Sequence, residues 1–112
     1  MVSMSPPRET PTGLPGFRLW PGALDAAAQG SLLAEVLAAA ETAPFYRPVT
    51  PGGRPFSVVM TGMGPLAWVS DRAGYRYQTT HPVTDAPWPP MPQTLLDLWD
   101  ALTGWPAPPD AC

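Results

Sequence analysis

The chain has 112 residues, a formal net charge of −3 and a pI of about 4.7. That length accommodates one small domain, and the acidic balance argues against a free-standing nucleic-acid-binding domain, which would carry a basic face. Proline and glycine, 18 and 10 residues, make up a quarter of the chain, a share at which disorder competes with folding.

The charge is unevenly spread. There is no lysine, and the cations are Arg8, Arg18, Arg47, Arg54, Arg72 and Arg76. Between Phe45 and His81 stand four of these arginines and one acid, Asp71, a local net of +3. Glu35, Glu41, Asp97, Asp100 and Asp110 fall on the predicted helices and the tail. The single cysteine, Cys112, excludes an internal disulfide and fits a reducing compartment. The N-terminus lacks the basic and apolar regions of a secretory signal, and no apolar run reaches the roughly 18 residues needed to span a bilayer. These features lead to the expectation of a cytoplasmic protein with no membrane partner.

In chain order, residues 1–16 read as a mobile Pro-rich N-terminus, and residues 17–112 as the folding part. Gly16 to Trp20 alternates apolar and polar residues, and predicts a short strand ended by Pro21-Gly22. Leu24 to Thr42 predicts a helix. Asp25 is placed to cap it, alanine favours it, and Leu32, Leu33, Val36, Leu37 and Ala40 recur along one face. Gly30 costs such a helix about 1 kcal/mol relative to alanine. Ala43-Pro44 stops it.

Val49 to Tyr77, VTPGGRPFSVVMTGMGPLAWVSDRAGYRY, is the stretch that departs from generic packing sequence. Thr50-Pro51-Gly52-Gly53 is a tight turn whose backbone N–H groups are free to face an anion. Phe56–Thr61, Leu66–Ser70 and a run from Tyr75 are predicted strands. With Ser70 opposite Tyr75, the side chains of Trp68, Ser70, Tyr75 and Tyr77 share one face of a hairpin. That face is either an aromatic platform for bases, edged by Arg72 or Arg76, or a set of cross-strand core pairs.

Residues 78–92 form a Pro-rich connector, in which His81 is expected to face solvent and Trp88 to anchor the chain. Pro92 begins a second helix running to Leu102, with Gly104 as its terminator. One histidine and one cysteine cannot assemble a His/Cys metal site or a 2-His-1-carboxylate iron triad. There is no P-loop, dinucleotide fingerprint or Ser-His-Asp set. The residues by themselves indicate a binding surface, or a piece of something larger, rather than an enzyme, with no catalytic and no metal-binding residue.

The ordered set VTPGGRPFSVVMTGMGPLAW, GYRY, PWPPMPQTL and PDAC resembles the front half of the bacterial AlkB proteins, iron(II)- and 2-oxoglutarate-dependent dioxygenases that demethylate damaged DNA and RNA bases. The likeness covers about residues 14–112 and is densest from Val49 to Gln93. It implies an α+β arrangement, two helices plus a small antiparallel β lid. This would be the N-terminal portion of a double-stranded β-helix (jelly-roll) dioxygenase whose core is absent from this chain.

By that resemblance Trp68 matches the tryptophan that stacks on a flipped base. Tyr75 matches the tyrosine that reaches base and phosphate, and Met60 a methionine of the base pocket. Thr50, Gly52 and Gly53 match the turn that approaches the nucleic-acid backbone. Arg54 replaces an aromatic residue, which would either exchange a ring contact for a phosphate contact or leave the side chain pointing to water. The partner implied is alkylated single-stranded or duplex DNA, or RNA. The family's His-x-Asp and distal His, and its 2-oxoglutarate arginines, have no counterpart here. Iron(II) and 2-oxoglutarate are therefore expected of the full-length family and not of this chain, which should be inactive alone. A truncated product, a split reading frame or an excerpt would account for that, with the core supplied by a downstream segment or a separate chain. Two other readings stand beside it: a non-catalytic single-strand-binding remnant, and a small structural α+β protein whose aromatics are core.

Overall fold

A computed structural model describes residues 8–112. Residues 1–7 of the expected mobile N-terminus lie outside the described residues. The elements are α1 (Ala26–Thr42), β1 (Ala67–Asp71), β2 (Gly74–Gln78) and α2 (Gln93–Thr103), an α+β arrangement.

The predicted strand at 16–20 is absent. Thr10 and Leu19 form one isolated bridge, and Arg18 pairs with Glu9 at 2.7 Å and lies over the Trp20 ring. Glycines 13 and 16 take positive φ and turn the chain back on itself, so the segment bends where a strand would run straight.

α1 begins where the cap chemistry dictates. The Asp25 carboxylate accepts the Ala28 N–H at 2.8 Å, and the extended Asp25 backbone starts the first turn. Its apolar stripe does not pack as the periodicity predicts. Ala28 and Ala40 are buried, whereas Leu33 and Leu37 are 58% and 52% exposed. The small residues approach the rest of the chain, Leu32 and Val36 are half-buried, and Leu33 and Leu37 are left exposed.

From Ala43 to Gly64 the chain is an irregular two-legged arm. Tyr46 and Met60 exchange both backbone bonds, at 2.9 and 2.8 Å, and Val49 pairs with Pro55 near the tip. The predicted strand at Phe56–Thr61 does not form. Pro55 has no N–H for a ladder, the chain bends at Ser57–Val58, and Val58 and Val59 are exposed. Two side-chain hydroxyls stitch the arm down: Thr61 donates to the Ala43 carbonyl at 2.7 Å, and Ser70 to the Val49 carbonyl at 2.6 Å.

β1 and β2 pair antiparallel in the predicted register, Ser70 opposite Tyr75 and Trp68 opposite Tyr77. Asp71 and Gly74 flank the two-residue turn. The Asp71 carboxylate accepts the Ala73 N–H at 2.9 Å, and Gly74 supplies a φ of 112° that an L side chain resists. One face of β1 buries Ala67 and Val69 against Ala43, Trp88 and the half-buried Tyr46, which together make the core. Burying a side chain the size of Val69 is worth about 1.5–3 kcal/mol.

The connector folds over this core. Trp88 is buried and its Nε1–H donates to the Gln78 carbonyl at 2.8 Å. His81 is not solvent-facing: it is 1% exposed, wedged between the Tyr46 and Trp88 rings at 5.0 and 5.2 Å. Its Nδ1 accepts N–H bonds from Val83 and Thr84, so Nε2 carries the proton and donates to the Pro44 carbonyl at 2.7 Å. A ring with all its polar atoms satisfied is at home in a core.

α2 ends in Gly104 with left-handed φ, as the C′ position requires. The tail then returns along the turn before β1. Met63 and Cys112 exchange backbone bonds at 2.9 and 3.0 Å, and Leu66 N–H donates to Asp110 at 3.2 Å. No helix among the described residues is long and apolar enough to cross a membrane.

Candidate functional site

The hairpin register decides which side chains meet. Trp68 and Tyr77 are directly opposed, and Ser70 and Tyr75 form the next pair but one, so all four share a face. Ser70 is the short member, buried beneath the others and bonded to the arm. Tyr75 stacks on Trp68 with ring centroids 5.6 Å apart and planes 22° from parallel. Phe56, at the far leg of the arm, meets Trp68 at 6.1 Å and 47°. Trp68 is half-buried between them, while Tyr75 and Tyr77 are each 61% exposed. The face is apolar in its middle and open at its tyrosines.

Met60 reaches the same place. A cavity of about 260 Å³ is lined by Met60, Trp68 and Tyr77 together with Thr61, Ala67 and the tail. Tyr75 does not line it and Tyr77 does. Tyr77 was legible from its alternation with Tyr75, but only the folded tail, which closes the hollow through Ala111 and Cys112, gives it a pocket to face.

The Thr50–Arg54 turn is a separate locus. Thr50 N–H donates to the Arg54 carbonyl at 2.8 Å, Gly53 N–H to the Thr50 carbonyl at 2.7 Å, and Arg54 N–H to the Thr50 hydroxyl at 3.0 Å. The expected row of free donors is therefore reduced. Of this turn, only the Gly52 N–H lacks a partner among the described residues. Gly53 has a φ of 89°, and a Cβ built on it would collide with the Arg72 guanidinium. Arg72 thus crosses from the β1–β2 turn to lie against this one.

Arg76 does not edge the aromatic face. It is opposite Val69, hence on the other side of the hairpin, and it grips Asp71 with two bonds of 2.8 and 2.9 Å. The Arg76 guanidinium, helped by the Ala73 N–H, holds the Asp71 carboxyl down at about 2. Asp71 is thereby spent on Arg76, and Arg54 and Arg72 are left without an acidic partner among the described residues. Among the described residues Arg47 donates only to the neutral Phe56 carbonyl, at 2.6 Å. Burial, with a smaller contribution from the Asp71 charge, pushes the Tyr46 phenol up, and its oxygen has no partner among the described residues.

His81 is not available as a metal ligand. Both of its nitrogens are engaged and the ring is buried, so the chain's one histidine has no free lone pair for a ligand. Among the described residues no group of three His, Cys, Asp or Glu side chains has metal-binding spacing.

The sequence model of the 2OG-Fe(II) oxygenase superfamily matches residues 16–112. A Caulobacter vibrioides protein described as alpha-ketoglutarate-dependent dioxygenase AlkB homolog is 54% identical over 101 residues, 90% of this chain and 46% of the relative. Alpha-ketoglutarate-dependent dioxygenase AlkB of Escherichia coli is 42% identical over 85 residues, 72% of this chain and 39% of the relative. Its Salmonella typhimurium counterpart is 50% identical over 68 residues, 61% and 32% respectively. The chain spans less than half the length of the curated relatives it matches. With a superfamily match running through all four helices and strands, the chain belongs to the AlkB family of 2OG-Fe(II) oxygenases.

Proposed function

We propose that this chain forms the nucleotide-recognition lid of an AlkB-type dioxygenase. It grips an N-alkylated base in DNA or RNA, and oxidative demethylation takes place on a jelly-roll core built from residues this chain does not contribute. The observation that carries the reading is the Trp68 ring, flanked by two aromatics beside a hollow that Met60 and Tyr77 line. A flat, apolar ring with an adjoining pocket suits a base that has left its stack. Alkylated bases pay less than intact pairs to do so.

Each residue has a part in this reading. Trp68 stacks on the base, Met60 and Tyr77 wall its pocket, and Tyr75 extends from the ring towards the sugar and phosphate. Thr50, Gly52, Gly53 and Arg54 meet the backbone, where contacts position the strand without reading its sequence. The large exposure of Tyr75 and Tyr77 favours this over a reading of the aromatics as core. The chain's only histidine is consumed by backbone bonds and is not available as an iron(II) ligand, and no chemical step is assigned to these residues.

The test is binding, followed by turnover. A labelled oligonucleotide with one N-alkylated base should bind this chain more tightly than its unmodified twin, and Trp68→Ala should abolish the difference. Equal affinity for both strands, unchanged by Trp68→Ala, would sink the lid reading. Turnover of 2-oxoglutarate by this chain alone would sink the division of labour.

A further inference from the structure

We propose that His81 is a pH-sensitive latch: as a neutral ring it ties the connector to the root of the arm, and a proton on its Nδ1 releases the two. The latch needs no nucleic acid and goes beyond the reading above, which leaves this buried titratable ring without a part.

The ring joins two segments 37 positions apart. On one side Nε2–H donates to the Pro44 carbonyl at 2.7 Å. Pro44 stands at the root of the arm, next to Ala43, whose carbonyl accepts the Thr61 hydroxyl, and just before Tyr46, whose backbone pairs with Met60. On the other side Nδ1 accepts the Val83 and Thr84 N–H groups at 3.0 and 3.2 Å. The same loop is closed by His81 N–H on the Ala86 carbonyl and by Asp85 N–H on the His81 carbonyl, both at 2.9 Å. A single imidazole therefore fastens the connector turn to the arm.

These bonds suit only one state of the ring. Neutral imidazole has one donor and one acceptor nitrogen, whereas the charged ring has two donors. A proton on Nδ1 faces two N–H groups that have no other partner among the described residues. Nothing around the ring neutralises the charge either. The side chain is 1% exposed, so water does not reach it. The arm presents Tyr46, whose phenol is pushed up by burial and stays neutral. The chain beyond the loop presents Trp88, which carries no charge, and the loop itself presents Asp85, which is exposed. No carboxylate among the described residues lies within ion-pair distance of His81, and Asp71 is paired with Arg76. Aromatic faces attract a cation, but they do not relieve an N–H set against two other N–H groups. A buried charge without a partner is expelled to water. The Pro44 carbonyl and the Val83 and Thr84 N–H groups are then released together. The arm root is freed, and with it Met60, which the Tyr46 backbone holds.

His81 is the chain's only histidine, so its imidazole gives one set of NMR resonances and the first measurement needs no variant. This 112-residue chain is titrated from about pH 8 to about pH 5, the interval in which histidine side chains change charge. Backbone amide exchange is followed at the same pH values and corrected for the intrinsic rate. At the upper end the ring should show the Nε2–H tautomer. On acidification its signals should move to those of a solvated imidazolium. The Val83, Thr84, Tyr46 and Met60 amides should lose protection together, approaching about tenfold per pH unit, the dependence of an opening coupled to one proton. The Asp71 transition lies below this interval, at about 2, and does not contribute. His81→Asn keeps a side-chain acceptor for the two N–H groups, takes up no proton, and is shorter than the ring on the Pro44 side. Its Val83 and Thr84 protection should be constant with pH. Its Tyr46 and Met60 amides should be less protected than in the wild type at about pH 8 and equally insensitive to acid. Wild-type protection that stays unchanged across the interval, with or without a proton on the ring, overturns the latch. So does the same acid-induced loss in His81→Asn.

Discussion

Replacing Trp68 separates the two things a half-buried ring can do. In the folded chain Trp68 makes two aromatic contacts, to Tyr75 at 5.6 Å and to Phe56 at 6.1 Å. Such pairs are worth about 0.5–1.5 kcal/mol each beyond area burial. Trp68→Ala should therefore cost about 2–3 kcal/mol of stability, less than the 3–5 kcal/mol typical of a fully buried tryptophan. Stacking on a base is worth about 1–3 kcal/mol, so the affinity of the folded fraction should fall by about 5- to 150-fold. The assay is fluorescence anisotropy of a labelled single-stranded oligonucleotide at low salt, with urea melts of the same samples to fix the folded fraction. Trp68→Phe keeps an aromatic contact to Tyr75 and Phe56 and should recover most of the stability and only part of the affinity. A Trp68→Ala protein that is less stable, yet binds as tightly once corrected for folding, would make Trp68 a core residue and refute the argument.

Other outcomes follow from single contacts. His81→Ala leaves the Pro44 carbonyl and two N–H groups unpaired and opens a void, and should cost about 2–4 kcal/mol in urea melts; no loss of stability would contradict the burial of the ring. Tyr46→Phe removes a buried hydroxyl with no partner among the described residues and should be neutral or stabilising by up to about 1 kcal/mol, read as a shift in Tm. The Asp71 carboxyl is depressed in the folded chain, so its contribution is full above the ordinary aspartate range and is lost as pH falls from about 4 towards about 2. Acid titration followed by near-UV circular dichroism should show a hairpin transition in that window, and Asp71→Asn should remove it.

Much of this architecture lies in local sequence. Asp25 before an alanine run caps a helix whatever surrounds it, and Gly104 terminates one because only glycine takes left-handed φ freely. The hairpin register is local too. Asp71 and Gly74 form a turn that leaves Ser70 facing Tyr75, and strand alternation then places Trp68 beside Tyr77. Trp68, Tyr75 and Met60 were accordingly identifiable as members of one region from pattern and resemblance alone.

The features that local pattern misjudged are those decided by what the chain folds against. Phe56–Thr61 has the β-branched and apolar residues of a strand, but Pro55 and the bend at Ser57–Val58 deny it a ladder. The α1 stripe has helical period, yet nothing among the described elements covers Leu33 and Leu37. His81 looks like a loop residue by its neighbours in sequence, and is buried because Pro44, 37 positions earlier, offers its carbonyl. Arg72 and Arg76 are equivalent by composition. Strand alternation sends Arg76 to Asp71, and a missing Cβ at Gly53 receives Arg72. Sequence by itself determined the helices, the hairpin and its aromatic face, because those depend on φ, ψ and side-chain period within a few residues. Only the tertiary structure decided which arginine remains unpaired, which tyrosine faces the hollow and whether the histidine is free, because each depends on a partner distant in the chain.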